Sequence, residues 1–518
     1  MPDHSGKKLA LNRSLAHASG SVGMVRGSVG RRIPKILRSL KRQRESDSRL
    51  PSLKRQRESD SGESSLTLAL VIALVAMAMP SCRPAGPAPE SSRIDHLIVV
   101  SIDGLLPDYY TDPALAENFP GLRRFKTEGS FAERVRGIVP TLTFPSHTTL
   151  VTGVDPACHG IETNLIFDPL RRNRGGWNWY AEEIRSDTLW QAAARQGLTT
   201  GSVFWPVTVG AEIDYLLPAF WQIGGGLDGV KLLRALATPG LLDDIEKHFG
   251  PYNAARQSDA ERVEIGLHVF LKHRPALMLI KLSDLDGAQH RSGPASPAAI
   301  EILQKIDSAL QELLSRLENE GLLARTAVGV VSDHGSTPIH FAIRPDRIFE
   351  EQGWITSREG RVVDWAATPV IAGGLCAVVL KDPDDLDTLH AVRDYFQAQQ
   401  QREESGIGRI YEKEEILSME AFRSASLLIE SAPGYRMIAG VDGPLRESSA
   451  DRGAHGFTPD LKGQSSSFLL RGPGIEAGAN LGEIELVDIA PRFAQLLGIE
   501  LRQDCDPQKG ASSNDGHR

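Results

Sequence analysis

HLIVVSIDG, residues 96–104, is a β-branched apolar run that ends in an acid and a glycine. A run this uniformly apolar suits a strand buried on both faces, as in a parallel sheet covered by helices. Two later stretches repeat the arrangement. ALMLIKLSD (276–284) leads to Asp286, and AVGVVSD (327–333) ends in Asp333 and His334. Between them Ile300, Leu303, Ile306, Leu310, Leu313, Leu314 and Leu317 recur at helical spacing, which supplies the covering helix of a β-α-β unit. The expected fold class is therefore α/β, with a mostly parallel central sheet covered by helices. In such sheets ligands bind beyond the carboxyl ends of the strands, so Asp103, Asp286 and Asp333 are expected to meet there.

A carboxylate at a strand end is, taken alone, more often a helix cap or a solvated turn. The company of these three argues otherwise. His290 follows Asp286 at i+4, His334 follows Asp333 directly, and His455 stands in RGAHGF. Neutral imidazoles and carboxylates suit Zn²⁺, and three of each serve two ions if one more oxygen is contributed. Thr143, in VPTLTFPSHTTLVTG (139–153), is the candidate for that oxygen. Pro145 and Ser146 would begin a helix, placing Thr143 at its amino end where free N–H groups favour an anionic centre.

The 518 residues would divide into three or four domains at about 150 each, or form one large enzyme. With 41% hydrophobic and 24% charged residues, wholesale disorder and a multi-span membrane protein are excluded. The net charge of -8 is uneven: residues 1–63 carry 15 Lys/Arg against 6 Asp/Glu, and the rest 43 against 60. An acidic body is a poor partner for nucleic acid, so no stable nucleic-acid complex is expected, and phosphate chemistry here needs a metal's charge. SLKRQRESDS occurs at 39–48 and again at 52–61, marking a low-complexity tail. LTLALVIALVAMAM (66–79) is uncharged, and its 14 residues span about 21 Å as a helix, so it reads as a secretion segment rather than a membrane span. Cys82 after Ser81 resembles a bacterial lipoprotein box, from which Met79 and Pro80 depart. The expected location is outside the cytoplasm, either periplasmic or held at the membrane by an N-terminal anchor alone. Of Cys82, Cys158, Cys376 and Cys505, none forms a CxxC pair. One disulfide among the last three fits an oxidising compartment, but Cys376 reads as core and Cys158 and Cys505 as incidental.

VVSIDG (99–104), PTLTFPSHTTLVTG, HGIETN (159–164), FWPVTVGAEI (204–213), DGAQHRSGP (286–294), VVSDHGSTP (330–338), GAHGF (453–457) and VDIAPRFAQLLGI (487–499) follow one another. In that order they resemble the nucleotide pyrophosphatase/phosphodiesterase family of the alkaline phosphatase superfamily, over about residues 94–500. The resemblance implies an alkaline-phosphatase-like sandwich. It implies one zinc held by Asp286, His290 and His455, and another held by Asp103, Asp333 and His334 with Thr143 as reacting ligand. It also implies that Asn164 donates to a phosphoryl oxygen. Ser146 stands where many members have Asn, and VTVG (207–210) departs from the pattern after WP.

Phe144 and Trp221 are the candidates for an aromatic substrate slot, although both residue types more often pack. His147 and His159 are expected to hold local geometry, and Asp284 competes with Asp286 for the metal. The substrate expected is a small phosphodiester, a nucleotide or a phospholipid head group; the rivals are a phosphonate hydrolase, a phosphomonoesterase on the same dinuclear core, and a non-catalytic surface lipoprotein. The organisation expected is a basic tail over 1–65, disordered or absent from the mature protein, and a signal-like segment and linker over 66–92. A catalytic domain follows over 93–500, with a small α/β insertion at about 360–440, and then a disordered tail over 501–518.

Overall fold

The computed structural model describes residues 94–173, 176–220, 229–253, 258–359, 361–503 and 505. The basic repeats, the apolar run 66–79, Cys82 and Trp221 lie outside them. Among the described residues no helix is long and apolar enough to cross a membrane.

The opening run is β1 (His96–Ile102), at the centre of an eight-stranded sheet. The other strands of that sheet are β2 (Ser130–Phe131), β3 (Thr200–Val203), β4 (Tyr215–Leu217), β5 (Leu277–Leu282) and β6 (Thr326–Val331). With two later strands, β13 (Phe468–Arg471) and β14 (Ala479–Asn480), the order is β14-β2-β13-β6-β1-β5-β3-β4. The five strands from β6 to β4 run parallel, whereas β13 runs antiparallel to both β6 and β2. The mostly parallel sheet expected from the sequence is thus the central layer.

Side chains alternate across it, as strand geometry requires. Ile98, Val100, Ile102, Met278, Ile280 and Leu282 face one core with α3 (Asp259–His273) and α5 (Pro297–Asn319). Leu97, Val99, Leu277 and Leu279 face the other, with α1 (Thr143–Thr152), α2 (Leu189–Arg195) and α7 (Ile489–Leu497). α5 is the helix whose spacing was legible. Ser296 caps it by accepting from the Ala299 N–H, Pro297 opens it, and Leu303, Ile306, Leu310, Leu313, Leu314 and Leu317 are buried. Each such side chain contributes roughly 1.5–3 kcal/mol by leaving water, so this stripe binds α5 to the sheet.

Between the sheet and the last candidate ligand, a second, antiparallel sheet forms from β8 (Ala367–Ala372), β9 (Leu375–Leu380), β10 (Ile407–Tyr411) and β11 (Leu427–Ser431). Its order is β8-β9-β11-β10, and α6 (Leu386–Gln400) packs beside it through Val392 and Phe396. Cys376, in β9, is a buried free thiol of that core.

Cys158 and Cys505 are not incidental: they form a disulfide across 347 positions of sequence. The two segments are brought together by α7 packing on α1, a contact that no local pattern announces. Just before Cys158, Asp155 shares a hydrogen bond with the Glu420 carboxylate, and burial together with that like charge pushes its pKa up to about 7. The folded state therefore binds a proton that the unfolded chain releases near pH 4. This contribution to stability is present below pH 4 and is lost as the pH rises through about 7. Asp155→Asn, neutral throughout, should raise the thermal midpoint by a few degrees at pH 8 and leave it near wild type at pH 4. Equal midpoints at pH 8 would refute the shared-proton account.

Candidate active site and metal centre

Three strand ends deliver three acids to one edge. Asp103 follows β1, and the Gly104 N–H donates to Asp333 Oδ1 across to the end of β6 (3.1 Å). The His334 N–H donates to the same oxygen (3.1 Å). After β5 the chain turns into α4 (Asp284–Ser292), where Asp286 and His290 lie one turn apart on one face. Asp284 is engaged elsewhere: its Oδ2 accepts from the Asp259 N–H at the start of α3 (2.9 Å). Asp286, by contrast, faces the histidines.

His455 arrives from a loop. It follows β12 (Gly453–Ala454), which pairs with the start of β7 (Thr337–Ile343). Its Nδ1 is 3.0 Å from the Thr141 carbonyl, and the Gly456 and Phe457 N–H groups donate to Thr141 Oγ1 (3.0 Å each). Gly456 has φ +84°, and a Cβ there would lie 2.1 Å from the Ala372 carbonyl oxygen. The β8–β9 turn presses equally hard from the other side, since a Cβ on Gly373 would lie 2.1 Å from the His455 oxygen. Glu430 of β11 completes the clamp by accepting from both the N–H (2.8 Å) and the hydroxyl (2.7 Å) of Thr458.

Asp103, Asp333 and His334 form one group and Asp286, His290 and His455 another; within each, the donor atoms all lie within 4.8 Å of one another. The His334 and His455 rings stack at 3.6 Å between centroids, so the two groups adjoin. His334 Nε2 is 3.3 Å from Asp103 Oδ1, from Asp333 Oδ2 and from Thr143 Oγ1. In the second group His290 Nε2 and His455 Nε2 are 3.4 and 3.8 Å from Asp286 Oδ1. Donors on a tetrahedron with bonds of about 2.0–2.1 Å stand about 3.4 Å apart, so these separations fit a cation at each centre.

Two further observations support that fit. Asp103 Oδ1, Asp286 Oδ1 and Asp333 Oδ2 are buried without a hydrogen-bond partner, one bare oxygen from each acid, all facing the histidines. The Nδ1 atoms of His290 and His334 lie 2.9 Å from the carbonyls of Gly453 and Gly335, as that of His455 does from Thr141. Each Nδ1 therefore carries the proton, and each Nε2 offers a lone pair.

Charge crowding points the same way. Burial, then the neighbouring Asp103, pushes the Asp286 and Asp333 carboxyls well above the usual range. Burial holds His334 down at about 4 and His455 well below its ordinary value, so both are neutral at pH 7. Asp103 and Asp333, both buried, and the partly buried Asp286 crowd beside neutral imidazoles, with Lys281 paired to Asp103, and divalent cations would supply the further positive charge.

Thr143 is the first residue of α1, whose preceding residue, Leu142, is extended and offers no side-chain cap. The Phe144 N–H donates to Asn164 Oδ1 (2.9 Å), so the Asn164 amide turns its N–H₂ the other way. His147 ties the helix down: Nδ1 is 2.8 Å from the Thr143 carbonyl and Nε2 is 2.9 Å from Ser101 Oγ. His159 Nε2 is 3.1 Å from Thr149 Oγ1. Phe144 is 2% exposed and packs with Ile161 and Val207, its ring 5.1 Å from that of Trp177. Trp177 was not anticipated, because it comes from an irregular segment with no periodicity to place it. Lys281 was missed too. It hid inside a strand read as apolar, and its Nζ is 2.6 Å from Asp103 Oδ2.

A parallel α/β sheet with carboxylate and histidine donors at its carboxyl edge is the arrangement of the alkaline phosphatase superfamily. A family model, type I phosphodiesterase / nucleotide pyrophosphatase, matches residues 97–458, and the chain belongs to that family. It is accordingly a hydrolase of phosphoric ester or anhydride bonds, in a family that depends on metal. Human bis(5'-adenosyl)-triphosphatase ENPP4 is 24% identical over 417 residues, which cover 79% of this chain and 80% of that protein. Mouse ectonucleotide pyrophosphatase/phosphodiesterase family member 1 is 27% identical over 247 residues, 46% of this chain and 24% of that protein. The solved structure of an inactive murine ectonucleotide pyrophosphatase/phosphodiesterase 5 in complex with AMP is similar in fold, with a TM-score of 0.58 at 21% identity. That likeness covers 79% of this chain and 96% of the other.

Proposed function

We propose that the chain is a zinc-dependent phosphodiesterase and nucleotide pyrophosphatase acting through a phosphothreonine at Thr143. The observation that carries this reading is the convergence of Thr143 Oγ1 with Asp103 Oδ1 and Asp333 Oδ2 around His334 Nε2. Asp103, Asp333 and His334 would hold one ion and Asp286, His290 and His455 the other. When bound, the pair supplies positive charge that lowers the pKa of a coordinated hydroxyl and stabilises a leaving alkoxide or phosphate. Thr143 Oγ1 attacks phosphorus; the O–P bond forms as the bond to the leaving group breaks, and the Thr143 proton ends on the departing oxygen. Water then cleaves the phosphothreonine and returns a proton to Thr143. The Asn164 N–H₂ and the helix amino end hold the non-bridging oxygens. Phe144, backed by Trp177, would wall the leaving group or base.

Nucleotide substrates are favoured by the names of the relatives, one an adenosyl triphosphatase and another a structure holding AMP. Export is supported by the apolar run 66–79 and by the Cys158–Cys505 bond, which suits an oxidising compartment. Whether a lipid on Cys82 anchors the chain is settled by the intact mass of native membrane-fraction protein.

Metal analysis of protein purified without chelator should find about two zinc ions per chain. Fewer than one, with no gain on adding zinc, would sink the dinuclear reading. Activity should then be compared on an aryl phosphodiester, an aryl phosphomonoester, a dinucleoside polyphosphate and phosphonoacetate. The diester should outpace the monoester, because a dianion needs one more cationic partner. Two nearby cations are already committed, Lys281 to Asp103 and Arg436 to Asp451. Faster turnover of the monoester or of phosphonoacetate would reassign the substrate.

A further inference from the structure

Lys281 is the one charged residue of β5, whose sequence is otherwise Leu, Met, Leu, Ile and Leu. Its register partner on β1 is Ser101, two residues before Asp103, so all three side chains leave the sheet on the face covered by α1. The residue is 7% exposed. Burying an ammonium is costly unless it is paired, and here it meets Asp103 Oδ2 at 2.6 Å, as an ion pair rather than as a strand core residue.

What the pair does follows from comparing the two acids of that metal group. Asp333 has one oxygen fixed by the N–H groups of Gly104 and His334, and the other bare. Asp103 is also bare on one oxygen, Oδ1, but its second oxygen is held by Lys281. Each acid thus offers a single oxygen. With His334 Nε2 and Thr143 Oγ1 they make a set of four single donors, the number a tetrahedral site takes. A second Asp103 oxygen turned inward would be a fifth donor competing with the Thr143 hydroxyl.

We propose that Lys281 is a positioning residue that restrains Asp103 to one donor oxygen and so keeps the fourth place in the group for Thr143. The proposal rests on the metal-centre reading above. Its test uses Co²⁺, whose visible absorption is intense with four donors and weaker with five. Wild-type protein freed of metal and titrated with Co²⁺ should bind two ions per chain with intense bands. Lys281→Met should still bind two, but with the bands weakened, and its kcat should fall at least tenfold while KM stays within about threefold. Lys281→Arg, which keeps a cation on Oδ2, should retain most of both the bands and the rate. Should the Met variant lose its near-ultraviolet circular dichroism, Lys281→Gln carries the same comparison. Unchanged bands and rate in the neutral variant would overturn the proposal. So would loss of the second ion, since Lys281 would then be building the site rather than limiting its donors. A wild-type protein that binds no Co²⁺ would overturn the metal-centre reading itself, and this proposal with it.

Discussion

Asp333→Asn is expected to lower kcat at least about 10³-fold while leaving the fold intact, on the scale of losing several kcal/mol of transition-state charge stabilisation. The substitution keeps the shape of the side chain. Its carbonyl oxygen can still accept from the Gly104 and His334 N–H groups, as Asp333 Oδ1 does at 3.1 Å. The amide nitrogen then takes the place of Oδ2, the bare oxygen 3.3 Å from His334 Nε2. An N–H₂ has no lone pair to offer a cation, so one of the two proposed metal ions should be lost. Because Asp333 is crowded by Asp103 and then Asp286 when metal is absent, the metal-free variant should melt no lower than metal-free wild type. Metal content, kcat and paired melting curves check the three parts. Retention of both ions with kcat within tenfold would show that Asp333 is not a ligand.

Thr143→Ala is expected to reduce turnover by about 10³-fold or more and to leave no phosphate on the protein. The side chain is buried, and its hydroxyl meets His334 Nε2 at 3.3 Å, so the cost to the fold should be small, about 1 kcal/mol. Both ions should still bind, since six other donors remain. Thr143→Ser keeps the oxygen and should recover most of the rate. Acid quenching during turnover of a labelled diester should trap phosphothreonine in wild type and nothing in the alanine variant. Alanine activity within tenfold of wild type would make Thr143 a bystander.

The parts of the site that were legible in sequence are those governed by short-range pattern. β1, β5 and β6 announce themselves as apolar runs because strands buried on both faces tolerate little else. Their parallel course, with acids at one end of each, follows from the α5 stripe between two of them. The i+4 spacing of Asp286 and His290 needs only a single turn of helix. For Thr143 the local pattern offered only a helix amino end, and for His455 only a histidine in RGAHGF; their assignment to particular metal groups came from the resemblance. Their positions depend on contacts between distant segments: Thr141 with residues 455–457, Gly373 against the His455 backbone, Glu430 with Thr458. Lys281 was illegible for the opposite reason, since a lone Lys in an apolar strand looks like noise until its partner is seen. The pairing of Cys158 with Cys505 likewise needed α7 to dock on α1.

That disulfide also imposes an order of events on a growing chain. At about 5–20 residues per second, synthesis of the 347 positions separating the two cysteines takes roughly 17–70 s. Throughout that interval Cys158 has no native partner, and Cys376 emerges before the correct one. The danger of a wrong bond passes once β9 packs, because Cys376 is then fully buried. Covalent closure needs residue 505, which follows every proposed metal donor in the sequence. A chain stopped short of residue 505 would carry the complete set of proposed donors and, just ahead of Asn164, a Cys158 thiol without its native partner.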